Sequence, residues 1–146
     1  MMKIQEQDRF HGAALAQIVK HNSFKALNKA STKYGHYRVN ADRHVFVKYS
    51  TEEYSPWRFT FQKDDLKAIQ TEVKKGTVFI CLVCGTYTVC ALTIEEFQAL
   101  IDLDASSKQS WVRVEVPPRG SCHASGNLGP LKKAIPHNSF PDKVFE

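Results

Sequence analysis

No apolar run in this 146-residue chain approaches the roughly 20 residues that a helix needs to cross a bilayer, so the sequence predicts a soluble protein with no membrane partner. The glycine-rich signatures of nucleotide enzymes are missing too. Neither a P-loop nor a dinucleotide fingerprint occurs, and Gly126-Asn127-Leu128-Gly129 reads as a turn rather than a phosphate cradle. The G-x-S-x-G elbow of serine hydrolases is absent. The six histidines show neither H-x-x-x-H nor H-E-x-x-H spacing, which argues against a metalloprotease and leaves most of them expected at the surface. The opening residues, Met1 to Phe10, lack the apolar centre of a secretory leader, and the expected address is cytoplasmic.

Acidic residues are also in short supply. Twenty Lys and Arg stand against fifteen Asp and Glu, a net charge of +5 that favours a polyanionic or acidic partner. The imbalance is concentrated early. Lys20, Lys25, Lys29, Lys33, Arg38, Arg43, Lys48 and Arg58 precede Asp64 and Asp65 with few acids among them, which tilts the reading toward nucleic acid.

What is present is the composition of one globular domain: 42% hydrophobic, 24% charged, and enough length to bury a core without staples. Residues 1–146 are read as a single domain, with 121–146 as an irregular C-terminal wrap anchored by Leu131, Ile135 and Phe140. Phe10, Leu15, Ile18, Val19, Phe24 and Leu27 recur at helical spacing with a break at His21-Asn22-Ser23, which predicts a long bent helix or, as taken for the fold, an N-terminal helix pair reaching about Ala30. A hairpin follows, Tyr37 to Val39 against His44 to Tyr49. In Trp57 to Gln62 the period is two, with Trp57, Phe59 and Phe61 on one face and Arg58, Thr60 and Gln62 on the other. Leu66, Ile69 and Val73 form one stripe of a helix from Asp64 to Lys75. Thr77 to Cys84 is apolar throughout, as a strand buried on both faces would be, and a second strand is expected at Tyr87 to Leu92. Thr93 and Glu96 form a capping box that opens a helix to about Leu103. Val112, Val114 and Val116 alternate along another strand, and a short one is expected at Cys122 to Ala124. The expected fold is α+β or α/β, a mixed sheet of about five to seven strands with the helix pair and two further helices.

The candidate sites follow from this layout. A helix pair with a basic hairpin behind it reads as helix-turn-helix plus wing, aiming Lys25 and Lys29 at phosphates. Lys48 and Arg58, set among Tyr49, Tyr54, Trp57 and Phe59, have the mixture of cations and rings that binds single strands. The nucleic-acid-binding set is therefore Lys25, Lys29, Arg43, Lys48, Arg58 and Trp57. Aromatics at alternate strand positions are also the ordinary material of a sheet core. Cys81, Cys84, Cys90 and Cys122 offer a zinc alternative, weakened because a second C-x-x-C is missing and because Cys81 and Cys84 would point to opposite faces of a strand. Buried core thiols are the plainer reading.

The order helix, hairpin, strand, helix, strand, with Lys48 on a central strand, resembles the restriction-endonuclease-like, or PD-(D/E)XK, nuclease superfamily over about residues 10 to 92. That resemblance implies a metal-dependent nuclease with Mg²⁺ as cofactor, in which Lys48 positions the attacking water and Asp42 is the nearest upstream acid. Phe46 stands where the acid of the acid-x-Lys triplet belongs and cannot ligate a metal, so the resemblance implies a catalytically impaired module that binds rather than cuts. Glu72-Val73-Lys74 spells the triplet but falls on the end of a helix, where an exposed Glu and Lys need no chemistry to explain them. The expectation is a nucleic-acid-binding domain for DNA or RNA. The alternatives are an active metal-dependent nuclease using Asp42 and Lys48, and a protein-interaction or inhibitor module docking an acidic partner.

Overall fold

The computed structural model describes residues 4–31, 34–104 and 109–146. The chain begins with α1 (Glu6–Lys20), which buries His11, Ala14 and Ile18 at helical spacing and places Glu6 and Asp8 in its first turn, as the helix dipole prefers. Next come β1 (Leu27–Ser31), β2 (His36–Val39), β3 (Arg43–Ser50) and β4 (Trp57–Phe61). The helix α2 (Lys63–Val73) leads into β5 (Thr77–Cys84) and β6 (Thr88–Thr93), followed by α3 (Ile94–Leu100). Three more strands, β7 (Ser110–Glu115), β8 (His123–Gly126) and β9 (Gly129–Pro130), precede a closing 3-10 turn, Asp142–Phe145.

These strands form two sheets in an α+β architecture. The first runs β1-β2-β3-β5-β6 and is mixed, since β3 and β5 are parallel while every other pair is antiparallel. The parallel pair arises because β4 and α2 lie between them in sequence and carry the chain back to the starting end. The second sheet, β4-β7-β8-β9, is antiparallel throughout. The interior strand β5 is buried from Val78 to Cys84, as its unbroken apolar run predicts. Its two faces feed separate cores. Val78, Ile80, Leu82 and Cys84 pack with Trp57, Phe59, Phe61, Leu66, Phe97 and Val112 from the second sheet and from α2 and α3. Phe79, Cys81 and Val83 pack on the other side with Ala14 and Ile18 of α1 and with Phe140 and Val144 of the tail.

The predicted helix pair is one helix. α1 ends at Lys20, and the segment expected to be its partner becomes an edge strand. The cause is Asn40, which sits at φ 58° in the turn after β2. Its Oδ1 accepts the amides of Lys25 (2.7 Å) and Ala26 (3.2 Å), and its Nδ2 donates to the Ser23 carbonyl (3.1 Å). Those bonds hold the chain extended so that Leu27 pairs with Val39, while Phe24 and Leu27 still reach the α1-side core. Helical spacing identified which residues are apolar, and long-range pairing set their conformation.

The capping box at α3 is present in both halves, Glu96 N donating to Thr93 Oγ1 (3.1 Å) and Thr93 N to Glu96 Oε1 (2.9 Å). The tail packs on its own domain, with Ile135 bridged to Cys122, Val144 buried, and Lys143 Nζ 2.7 Å from Glu96.

Candidate functional site

The strand β3 ends where β2 begins, and the first turns of α1 and the middle of β4 close over that end. The result is a cleft of about 270 Å³ lined by residues that include Lys48, Arg58, His11, Tyr49, Thr60 and Gln7. Lys48 and Arg58 belong to different sheets and are brought together only by the fold. Lys48 lies on the face of β3 that meets α2. Its Nζ donates to Asp65 Oδ2 at 2.9 Å and sits 5.3 Å from the Phe61 ring centre, with 27% of the side chain exposed. Asp65 is committed elsewhere as well, because the same oxygen accepts the Gln62 amide (2.8 Å) that opens α2. An ammonium with three donors retains capacity for an incoming anion.

Arg58 is exposed on the outer face of the second sheet and makes no ion pair among the described residues. Its guanidinium lies 4.8 Å above the Trp111 ring, and its strand partner is Arg113, which pairs with Glu115 at 3.0 Å. Thr60, directly opposite Trp111, extends the same polar surface. The other wall of the cleft is aromatic. His11 Nδ1 meets Tyr37 Oη at 3.0 Å, and the His11 ring lies edge-on to Tyr37 and Tyr49. Tyr49 stacks on Phe10 at 4.7 Å and donates its hydroxyl to Glu6 (3.2 Å). Burial holds the His11 imidazole below its ordinary value; Asp8 opposes this and Lys48 reinforces it. Burial raises Tyr37 and Tyr49, each helped by an acid, Asp8 for the first and the hydrogen-bonded Glu6 for the second. The ring hydroxyls are therefore neutral donors, and the fixed positive charge of the cleft comes from Lys48 and Arg58.

The remaining predicted residues are not brought here. Lys25 and Lys29 are both exposed, Lys25 ahead of β1 and Lys29 within it, an edge strand where a lysine discourages a further strand from adding. The segment expected to carry them into a groove as a helix is instead this strand and its lead-in. Arg43 begins β3 at the opposite end from Lys48, with its guanidinium on Asp42 (2.9 Å) and on the terminal Glu146 carbonyl (3.3 Å). Trp57 is buried, its indole N–H donating to the Glu52 carbonyl at 2.8 Å, and cannot serve as a stacking platform. Asp42 lies six residues before Lys48 along the chain, roughly 20 Å away at about 3.3 Å per residue, so the two cannot share one metal. Glu72 of the helix-borne triplet is half-buried against His44 rather than exposed. Tyr54 is 79% exposed beside a second groove with Pro56, Tyr87 and Pro117.

A zinc site built from the four cysteines fails geometrically. Cys81 points into the α1-side core, while Cys84, Cys90 and Cys122 point into the other. Burial pushes the Cys81 thiol up to about 12 and raises Cys84 as well. Cys90 is raised by its hydrogen bond to Cys122 and by burial. These three are protonated core thiols, while the hydrogen bond with Cys90 holds the buried Cys122 thiol below its ordinary value.

Two residues of the site were overlooked at the sequence level although their signal was there. If Val112 and Val114 face inward, Trp111 and Arg113 face outward by the same alternation. His11 and His36 are buried, the exceptions to histidines expected mostly at the surface, because each is an aromatic ring packed against another: His11 against Tyr37 and Tyr49, His36 against Phe46 at 4.4 Å.

Comparison with known families, curated proteins and solved structures returns no match to this chain.

Proposed function

We propose that the protein binds single-stranded nucleic acid at the β3–β4 cleft and the adjoining outer face of the second sheet. The observation that carries this reading is the meeting of Lys48 and Arg58 in one cleft, with Arg58 laid over the outward-facing ring of Trp111. Two cations suit backbone phosphates, and a partly exposed indole offers a face on which a base can stack without sequence preference. The net charge of +5 supports the same partner class. The commitment of Asp65 to Lys48 and to the Gln62 amide supports binding over metal-dependent cleavage. The reading uses a smaller set of residues than the sequence predicts, leaving Lys25, Lys29, Arg43 and Trp57 to structure and solubility.

Fluorescence anisotropy with labelled single-stranded DNA and RNA tests it across a salt series. Arg58→Ala is expected to weaken binding and to reduce the slope of log affinity against log salt by about 0.7, the single-strand value for one phosphate. Trp111→Ala is expected to cost about 1–3 kcal/mol with little change in that slope. Lys29→Ala should change neither. Affinity that is insensitive to salt, or equal in wild type and Arg58→Ala, would overturn the reading.

A further inference from the structure

A second cluster lies at the other end of β3 from the cleft. His44, Phe46 and Lys48 share the face of β3 that α2 covers. α2 runs back along that strand, so that Asp65 meets Lys48 and Glu72, seven residues on, meets His44. β2 adds His36, which is paired directly opposite Phe46 and so stands diagonal to His44 on the same face. Three potential ligands therefore converge from β2, β3 and α2. His36 Nε2 is 3.0 Å from His44 Nδ1, which is 3.5 Å from Glu72 Oε2, and the three ligand atoms lie within 4.8 Å of one another.

We infer that His36, His44 and Glu72 form a binding site for a divalent transition-metal ion of the zinc class. The distances fit. Ligands bound at about 2.0–2.1 Å around a tetrahedral ion stand roughly 3.3 Å apart, and the two separations observed fall on either side of that value. The chemistry fits too, because two imidazoles and one carboxylate are a donor set that zinc accepts with its fourth position left to water. Protons alone serve the cluster poorly. With both imidazoles neutral, one N–H at most can lie between His36 Nε2 and His44 Nδ1. If His36 carries it, the Glu72 carboxylate faces a bare lone pair of His44. If His44 carries it, one proton must serve both the His36 nitrogen and Glu72. A cation takes all three lone pairs at once.

The rings are already held in place. His36 stacks on Phe46 with an interplanar angle of 8°. The chain passes close to His44 at Gly76, where a Cβ would stand 3.3 Å from the imidazole and 2.8 Å from the Asp42 carbonyl oxygen, so only glycine leaves this space clear. The His44 and Glu72 side chains keep 12% and 17% of their surface, which gives an ion and its water access from outside.

The test is titration of the metal-free 146-residue chain with Co²⁺, followed by displacement with Zn²⁺. Wild type is expected to take up one equivalent of Co²⁺ with visible d–d absorption and no thiolate charge-transfer band, and to lose it to Zn²⁺. Glu72→Gln and His44→Asn should each weaken binding roughly tenfold or more, while Cys84→Ala leaves it unchanged. Because His36→Ala would also remove a ring from the core, Glu72→Gln carries the comparison, with circular dichroism reporting that it is folded. Zn²⁺ should raise the melting temperature of wild type and not that of Glu72→Gln. Absence of Co²⁺ and Zn²⁺ binding to folded wild type, equal affinity in Glu72→Gln, or a thiolate signature would each overturn the assignment.

Discussion

The ammonium of Lys48 has a carboxylate at 2.9 Å and an aromatic face at 5.3 Å, an environment that holds a half-buried cation in place without satisfying all its donors. Removing Asp65 would therefore do more than lose an ion pair, because its oxygen also caps α2 through the Gln62 amide. His11, on the opposite wall, has a consequence for pH. Burial holds its folded-state imidazole below the ordinary value of 6.5, so below that pH the unfolded chain takes up a proton that the folded chain refuses. Stability is therefore full above about pH 6.5 and falls as pH drops through that value toward the lower folded one; His36, shifted in the same direction chiefly by burial, adds to the loss. The urea midpoint of wild type should be lower at about pH 5.5 than at about pH 7.5, and His11→Gln should show a smaller difference. A midpoint that does not change over this range would contradict the burial argument.

Among the elements, β1 depends most on a single distant residue. From a left-handed turn position Asn40 makes three side-chain hydrogen bonds to the segment that leads into β1, at Ser23, Lys25 and Ala26. Asn40→Gly keeps the turn conformation accessible and removes the bonds, so it should destabilise the protein by about 1–3 kcal/mol in urea denaturation, with hydrogen exchange rising in residues 25–31. An unchanged midpoint would show that strand pairing alone holds the edge. This same residue marks where the sequence was hard to read. Local signals were sufficient for α3, whose cap spans three residues, and for β5, whose apolar run leaves no alternative. They were insufficient for Leu27–Ser31, where the deciding partner lies about ten residues or more downstream. The alternation in β7 was legible, but its outward half, Trp111 and Arg113, was read only for the valines between them. Lys48 and Arg58 were recognisable as strand cations. That they share a cleft depends on how two sheets meet, which no spacing in the chain records.

For the whole molecule, the arrangement of charge matters more than its total. The excess of cations in the first half does not gather into one groove: Lys25 and Arg43 lie toward the Asn40 end of the first sheet, Lys29 along its edge, and Lys48 with Arg58 at the far end. The two sheets share a core that seals Trp57, Phe59 and Phe61 inside, and the ring set beside a cation on the outer face of the second sheet is that of Trp111. A bound strand is therefore expected to be short and localised. The most direct measurement is NMR chemical-shift mapping of the isotope-labelled protein with an unlabelled single-stranded oligonucleotide. The account predicts perturbations at Lys48, Arg58, Thr60 and the Trp111 indole, with Lys25, Lys29 and Arg43 unmoved. Perturbations centred on Lys25 and Lys29, or none at saturating oligonucleotide, would contradict it.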